Sequence, residues 1–164
     1  MSYLLDSNTF IDAKNRYYDF DLCPGFWDWL EQQNATGTVL SIERVGTEIL
    51  AGTDELANWA KDKGAEFFLP PDAEVIASLQ QVAAWANASN YRPAGINEFL
   101  GNADSYLVAH AHAHSHIVVT HERIEQGLKR IKIPAACAAM NVKCMNPFEM
   151  LRIEHATFVL GARP

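Results

Sequence analysis

Short apolar runs of strand length alternate with helical segments along this chain. The run Tyr3–Leu5 opens the sequence, and residues 117–120 form a nearly continuous apolar stretch of the kind found in buried strands of parallel sheets. Between them, residues 72–86 repeat apolar side chains at the spacing of one helix face. Strands that alternate with helices are typical of βαβ units with right-handed crossovers. We therefore predict an α/β fold with a central parallel sheet.

Capping and turn residues predict where several helices begin. Ser41 is the predicted N-cap of the helix after the second strand, and Thr53 is the predicted N-cap of the next helix. Asp72 is the predicted N-cap of the long helix that follows. Residues 87–97 have the composition of turns and loops, so we expect no regular element there.

The bulk properties indicate one globular domain. The chain has 164 residues, enough for a sizeable core, and no repeat or linker divides it. No apolar run is long enough to span a membrane, and Asp6 interrupts the apolar start where a signal peptide would be continuous. The cysteines at 23, 137 and 144 form no CxxC pair. We therefore expect a cytoplasmic protein with reduced thiols.

Four acidic residues end or follow these strand-like runs, or open a helix beside them: Asp6, Glu48, Asp104 and Glu122. Ligands of α/β sheets bind outside the carboxyl ends of the strands, where Asp6 and Glu122 would lie directly. Helices leaving that edge would bring in Glu48 and Asp104. Crowded carboxylates repel one another unless cations lie between them, and oxygen ligands favour Mg²⁺ or Mn²⁺. The pattern therefore predicts a metal-dependent phosphoryl-transfer site.

Each assignment has a purely structural alternative. Asp6 would also serve as a turn former at a strand end, and Asp104 as the N-cap of its helix. Glu43 lies five residues before Glu48 on a different face of the same helix and competes with it as the ligand. Glu122 would also suit a solvated surface position.

The charge balance limits how nucleic acid would bind. The formal net charge is −7, which argues against a generally basic nucleic-acid surface. The acidic candidates supply four of those negative charges, and bound metal would offset them. The densest positive cluster would guide a phosphate chain, unless its members are ordinary solvated loop charges. This basic cluster consists of Arg123, Lys129, Arg130 and Lys132.

Histidines are concentrated in one stretch of the sequence. His110 and His114 are one helical turn apart, as are His112 and His116, and such pairs can bind Zn²⁺. No third ligand is evident, so an ordinary helical surface is the alternative. His121 lies between Thr120 and Glu122, where it would be able to touch a substrate.

An ordered set of motifs resembles a known family. The segments LLDSN (4–8), TEILAG (47–52), ADSYLVAHA (103–111) and VVTHE (118–122) resemble the PIN domain, a fold that includes many VapC-type toxins. The segments at 15–30 and 131–151, together with VVTHE, are similar to the PIN branch called DUF4411. The resemblance covers nearly the whole chain to about residue 153.

This resemblance implies a three-layer α/β/α nuclease domain over residues 1–153 and a C-terminal tail over 154–164. It also implies a Mg²⁺- or Mn²⁺-dependent ribonuclease, often paired with an antitoxin protein. Asn8 would accompany Asp6, and Thr120 would place a hydroxyl near the metal. Glu122 stands where many members have aspartate, so its direct contact with metal is an open question.

The resemblance also implies a homodimer. The helices carry more aromatic residues than one core is expected to absorb, and an exposed apolar patch usually marks an interface. The aromatic positions concerned are Phe26, Trp27, Trp29, Trp59 and Trp85.

Two other functions compete with the ribonuclease. The segment D-x-N-T at 6–9 is similar to the start of haloacid-dehalogenase-like phosphatases, although Asn8 is a poor general acid. A PIN-like fold retained only for binding is the non-enzymatic alternative, which the presence of all four carboxylates disfavours.

Overall fold

The computed structural model describes residues 1–161 and contains a five-stranded sheet whose ladders are all parallel. The strands are β1 (Tyr3–Leu5), β2 (Val39–Ile42), β3 (Phe68–Leu69), β4 (Ile117–Val119) and β5 (Cys144–Met145). Every residue of β1 and β4 is buried, as expected for strands covered by helices on both faces. The predicted α/β fold with three layers and a central parallel sheet is confirmed.

The spatial order of the strands is β3-β2-β1-β4-β5, so β1 lies at the centre. Tyr3 of β1 is in register with Val39 on one side and with Ile117 on the other. The chain moves outward from β1 through β2 to β3 and then returns to β4 on the opposite side. The strand order therefore reverses between β1 and β4, which is where ligands bind in open α/β sheets.

The helices connect these strands. They are α1 (Ser7–Asp12), α2 (Pro24–Ala35), α3 (Glu43–Leu50), α4 (Glu55–Lys61), α5 (Ala73–Ala88), α6 (Pro93–Gly101), α7 (Ala103–His114), α8 (Ile133–Ala139) and α9 (Pro147–Ile153). A π-helical segment, Ala13–Tyr17, continues α1. Within residues 1–161, no helix combines the length and the apolar character needed to cross a membrane.

Side-chain caps agree with the prediction at one helix start and differ from it at two others. Asp72 caps α5 by accepting from the N–H of Val75 at 2.9 Å, as predicted. Ser41 does not cap α3, because its hydroxyl instead donates to the carbonyl of Leu5 at 2.6 Å and joins β2 to β1. The N-cap of α4 is Asp54 rather than Thr53.

The prediction of a loop over residues 87–97 was wrong at both ends, because α5 continues to Ala88 and α6 begins at Pro93. Pro93 begins α6, where its missing N–H costs nothing because first-turn amides have no intrahelical partner. The same proline chemistry that favours a turn therefore also favours the first position of a helix.

The aromatic residues do not lie where the dimer argument placed them. Phe26, Trp27 and Trp29 are buried, while Trp59 and Trp85 are half-buried against the core. Phe26 stacks on Tyr18 with ring centroids 4.3 Å apart, and Trp27 meets Trp59 edge-on. The aromatic surplus therefore fills the core, and a homodimer stays a prediction without that support.

The C-terminal segment returns to the domain. Helix α9 ends at Ile153, and the division into a domain over 1–153 and a tail over 154–164 stays a prediction. Beyond it, Glu154 accepts a hydrogen bond from the hydroxyl of Tyr3 at 2.6 Å, and Phe158 packs edge-on against Tyr18 and Phe26. Of the predicted tail over 154–164, residues 162–164 lie outside the described residues.

Candidate metal centre

Asp6 lies at the point where the strand order reverses, directly after β1. It is 2 % exposed and serves as the N-cap of α1. Its Oδ1 accepts from the backbone N–H of Thr9 at 2.7 Å and from the Thr9 hydroxyl at 2.6 Å. Its Oδ2 accepts from the hydroxyl of Thr120 at 2.6 Å. Oδ1 has therefore used both of its lone pairs, whereas Oδ2 keeps one for a further ligand.

The pKa of Asp6 reflects two opposing influences. Burial raises it, while the hydrogen bonds from Thr120 and Thr9 lower it and the charge of Glu122 raises it again. The result is a pKa of about 6, well above the ordinary 3.8. Burial, which is the largest of these influences, therefore outweighs the hydrogen bonds.

Asp104 is in the first turn of α7, but it is not the cap of that helix. The cap is Asn102, whose Oδ1 accepts from the N–H of Asp104 at 2.9 Å. The Asp104 carboxylate is thus available to the acidic edge of the sheet. Burial, followed by the charges of Glu122, Asp6 and Glu48, raises its pKa to about 7.

These electrostatic couplings connect all four sequence candidates. Each of the other three carboxylates raises the pKa of Asp104, so each lies close enough for its charge to be felt there. Glu48, and not Glu43, is the α3 carboxylate that contributes. Glu48 is exposed on α3 and accepts a hydrogen bond from the hydroxyl of Ser7.

Glu122 has a structural role that its sequence position did not reveal. Its Oε2 accepts from the backbone N–H of Ile133 at 2.7 Å, which attaches the loop after β4 to the first residue of α8. Its own N–H donates to the hydroxyl of Thr120 at 3.1 Å. Oε1 has no such bond, so Glu122 is able both to anchor α8 and to offer one oxygen to a cation.

A cleft of about 60 Å³ lies beside the acidic cluster, and two of the four candidates, Asp104 and Glu122, line it. The lining residues are Gly95, Glu98, Phe99, Asn102, Asp104, Glu122, Arg130, Ile131 and Lys132. Among residues 1–161, no three His, Cys, Asp or Glu side chains are arranged to hold an ion without moving. The donor set fits a hard divalent cation, since it offers only carboxylate oxygens.

The basic cluster borders this cleft, and its members differ in whether they form ion pairs. Arg130 forms an ion pair with Glu98 at 3.2 Å, and Lys132 lies 3.9 Å from Glu125. The charge of Lys132 lowers the pKa of Asp104, so this lysine faces the acidic site.

Arg123 and Lys129 are exposed, and neither forms an ion pair within the described part of the chain. A glycine sets the position of the basic loop, because a Cβ on Gly95 would lie 2.2 Å from the carbonyl oxygen of Lys129.

Two residues that bond to the carboxylates were not predicted from the sequence. Thr9 holds Asp6, and Ser7 donates to Glu48. Asn8, which the family resemblance assigned beside Asp6, is exposed and forms no side-chain hydrogen bond among the described residues. A strand-end aspartate followed three residues later by threonine has the spacing of an N-cap and its N3 partner, and that signal was available in the sequence.

The histidine-rich stretch forms separate contacts instead of one cluster. His112 bonds with Ser78 at 2.6 Å, and His114 lies 2.8 Å from Asp72. His116 lies 2.5 Å from Ser2. His110 is buried, and burial lowers its pKa to about 4, so it is neutral at neutral pH. Within residues 1–161, this stretch contributes to no group of metal ligands.

Comparison with known proteins adds a family and a fold. The family model described as a domain of unknown function, DUF4411, matches residues 3–158. A chain in the crystal structure of VapBC2 from Rickettsia felis, bound to a DNA fragment from their promoter, superposes with a TM-score of 0.56 at 16% identity. A chain of FitAcB from Neisseria gonorrhoeae superposes with a TM-score of 0.54 at 19% identity.

Each superposition covers 89% of this chain and 98% of the other. At these identities the likeness concerns the fold. A search of curated proteins found no match.

Proposed function

The chain belongs to the DUF4411 family and has a PIN fold, and from this premise we propose that it is a divalent-metal-dependent endoribonuclease. The observation that carries the proposal is the position of Asp6 and Glu122 at the carboxyl ends of β1 and β4, where the hydroxyl of Thr120 bonds to the Asp6 carboxylate and to the Glu122 N–H. Burial and the charges of Glu122, Asp6 and Glu48 also raise the pKa of Asp104. Structural ion pairs would lower the pKa of a carboxyl group, whereas this cluster collects negative charge at the ligand-binding edge of a parallel sheet. Such an arrangement suits a site that is completed by cations.

We propose Asp6, Glu48, Asp104 and Glu122 as the residues that hold Mg²⁺ or Mn²⁺. When bound, the ion supplies positive charge to a phosphodiester oxygen and lowers the pKa of an attacking water. Thr9 and Thr120 orient Asp6 and stabilise its charged form. Ser7 holds Glu48, and the N–H of Ile133 holds Glu122.

The protonation state of Asp104 also affects cation binding. Asp104 has a pKa of about 7 and is therefore partly protonated near neutral pH when no cation is bound. Cation binding would release that proton. None of the four carboxylates needs to attack phosphorus, since the water does so in line with the leaving 3′ oxygen. The expected products carry a 5′ phosphate and a 3′ hydroxyl.

We assign the binding of RNA phosphates to the basic cluster. The charge of Lys132 lowers the pKa of Asp104, which indicates that this lysine lies close to the acidic site. Arg123, Lys129 and Arg130 are exposed along the adjoining loop, where they can meet successive phosphates. Local positive charge at the cleft is compatible with a chain whose net charge is −7.

The family resemblance extends the proposal to a biological role. VapC-type PIN proteins are toxins, so we propose that this chain is the toxin of a toxin–antitoxin pair that acts in the cytoplasm. A small antitoxin would be the protein partner, and the free chain would form a homodimer. Co-expression with the neighbouring reading frame tests the first point, and light scattering of the free chain at micromolar concentration tests the second.

A cleavage assay tests the enzymatic proposal. Single-stranded RNA is incubated with the purified protein and Mg²⁺ or Mn²⁺, with EDTA and Asp104→Asn as controls. Metal-dependent cleavage that leaves 5′ phosphates, and that disappears in both controls, would support the proposal. Hydrolysis of phosphomonoesters with intact RNA would assign the site to a phosphatase, and inactivity on both substrates would leave a binding module.

A further inference from the structure

A groove of about 840 Å³ lies beside the acidic site, at the carboxyl ends of β4 and β5. Glu122 lines both the groove and the cleft around Asp104, so the two lie next to each other. The volume is in the range of about 300–1,000 Å³ that is typical of ligand sites. The four-carboxylate assignment does not use this groove.

Three aromatic rings from separate segments meet in the groove. Tyr17 comes from the π-helical segment, His121 from the loop after β4, and Phe148 from α9. The ring centroid of Tyr17 lies 5.3 Å from that of His121 and 5.1 Å from that of Phe148. The centroids of His121 and Phe148 are 5.7 Å apart. Each ring is thus supported by the other two.

Tyr17 stays exposed although its neighbours in sequence are fixed. It is 42% exposed, whereas the next residue, Tyr18, stacks on Phe26. The carbonyl of Tyr18 accepts from the indole N–H of Trp27 at 2.7 Å, and its N–H closes the π-helical turn onto Ala13 at 2.6 Å. A rigid backbone therefore presents an aromatic face to solvent, and π-helical turns of this kind are frequent at functional sites.

Positive charge accompanies the aromatic rings. Arg123 lines the groove, is exposed and forms no ion pair within residues 1–161. Arg16 also lines it, with a side chain that is 71% exposed and only loosely paired with Asp12 at 3.6 Å. Aromatic faces interleaved with cations are the recurring surface that binds single-stranded nucleic acid.

We propose that this groove binds the single-stranded RNA segment next to the scissile phosphate, with one base stacked on Tyr17. The proposal rests on the proposed ribonuclease function and adds to it a base-stacking subsite beside the proposed metal site. Arg16 and Arg123 would hold the flanking phosphates. A paired strand would not fit, because a base inside a helix has no free face to offer to Tyr17.

The groove favours RNA over a peptide. The adjoining edge strand, β5, has only two residues, too short to template the addition of a peptide strand. The exposed arginines and the tyrosine face match phosphates and bases, which occur together in RNA. Because Glu122 lines both the groove and the cleft, a nucleotide in the groove would have its neighbouring phosphate near the cleft.

The test measures RNA affinity in an Asp104→Asn background with Mg²⁺ present, so that the probe stays intact. The probe is a fluorescein-labelled oligouridylate of about 12 nucleotides, and a matched ribose–phosphate strand without bases is measured beside it. Tyr17→Ala should weaken oligouridylate binding by about 5- to 100-fold, the range for losing one stacked base, and should leave the abasic strand unaffected. Tyr17→Phe should bind as well as the parent, since the ring face is kept.

A matched control and a kinetic measurement separate stacking from folding. Phe20→Ala removes a half-buried aromatic side chain outside the groove, where it stacks on Trp27, and should leave RNA affinity unchanged. In the otherwise unsubstituted enzyme, Tyr17→Ala should raise KM more than it lowers kcat.

The outcomes distinguish the groove from the enzyme. If the parent protein cleaves RNA but Tyr17→Ala binds oligouridylate with unchanged affinity, the groove proposal is overturned and another occupant, such as a partner peptide, takes its place. Equal weakening for the abasic strand would also overturn it. If the parent protein neither cleaves nor binds RNA, the proposed function fails and the groove proposal fails with it.

Discussion

The hydroxyl of Thr120 donates a 2.6 Å hydrogen bond to Oδ2 of Asp6 and joins two residues that are 114 positions apart in the sequence. The bond spans the carboxyl ends of β1 and β4, where the strand order reverses. It lowers the pKa of Asp6 against the opposing influence of burial. Thr120 also accepts from the N–H of Glu122, so one hydroxyl fixes both the Asp6 carboxylate and the backbone of Glu122.

Replacing Thr120 with valine should therefore weaken both stability and metal binding. The isosteric change leaves a buried carboxylate oxygen without its donor, at a cost of about 1–3 kcal/mol in the free energy of unfolding. The pKa of Asp6 should rise further, so the Mg²⁺ affinity at neutral pH should fall. Urea unfolding and isothermal titration with Mg²⁺ measure the two effects. Thr120→Ser keeps the donor and should stay close to the parent; if serine behaves like valine, the hydroxyl is not the cause.

Asp104→Asn should abolish metal-dependent RNA cleavage without unfolding the protein. Removing one negative charge relieves repulsion from Glu122, Asp6 and Glu48. The metal-free variant should therefore be as stable as the parent or more stable at neutral pH. Cleavage assays and thermal unfolding in EDTA check both statements. Glu43→Gln, on α3 but without influence on Asp104, is the matched control and should cleave normally.

The metal-free protein should lose stability as the pH rises from about 4 to 7. Asp6 and Asp104 release their protons near pH 3.8 when unfolded but hold them to about 6 and about 7 when folded. Over that window the folded state binds more protons than the unfolded state, so increasing pH favours unfolding.

Urea unfolding across this pH range in EDTA measures the slope. Saturating Mg²⁺ should reduce the slope, since the cation replaces the protons. Asp104→Asn should remove its share of the effect. A stability that increases steadily with pH in EDTA would contradict the raised pKa values.

Substitutions of Glu122 should separate its anchoring role from metal binding. Glu122→Gln keeps an oxygen that can accept from the N–H of Ile133 but loses the charge, so cleavage should fall while stability holds. Glu122→Ala loses the bond as well, and should lower the free energy of unfolding by about 1–2 kcal/mol. If the glutamine variant cleaves at the parent rate, Glu122 serves only to anchor α8.

The basic loop should affect RNA affinity more than the chemical step. Replacing Lys129, Arg130 and Lys132 with glutamine should weaken binding and flatten its salt dependence. On a single strand, the log–log slope falls by about 0.7 for each phosphate that the protein no longer neutralises. Binding at several salt concentrations gives the slope, and an unchanged slope would identify ordinary solvated charges.

Substituting a glycine of α6 tests the basic loop without changing any charge. Gly95→Ala would bring a Cβ within 2.2 Å of the Lys129 carbonyl oxygen, and backbone atoms cannot give way cheaply. The basic loop should therefore shift, and RNA affinity should fall with every charge retained. Gly101→Ala, also in α6 but with open space around it, is the control and should bind normally.

The sequence by itself determined the fold class and the acidic candidates, because those signals are local. Continuous apolar runs are required of strands covered on both faces, and Tyr3–Leu5 and Ile117–Val119 satisfy that requirement without reference to the rest of the chain. Asp72 caps α5 with an N–H only three residues away, so its role also follows from sequence spacing.

Tertiary structure decided the roles that depend on partners far away in the chain. Ser41 has the chemistry of a helix cap, yet its hydroxyl bonds to Leu5, 36 residues earlier, because β2 lies beside β1. Glu122 follows a strand as predicted, but only the approach of α8 gives its Oε2 an N–H to accept. Tyr17 is one tyrosine of an adjacent pair in the sequence. Packing stacks its neighbour, Tyr18, on Phe26 and leaves Tyr17 facing the groove. Sequence spacing predicts contacts between residues that are near in the chain, whereas contacts between distant segments decide which side chains remain free to bind a ligand.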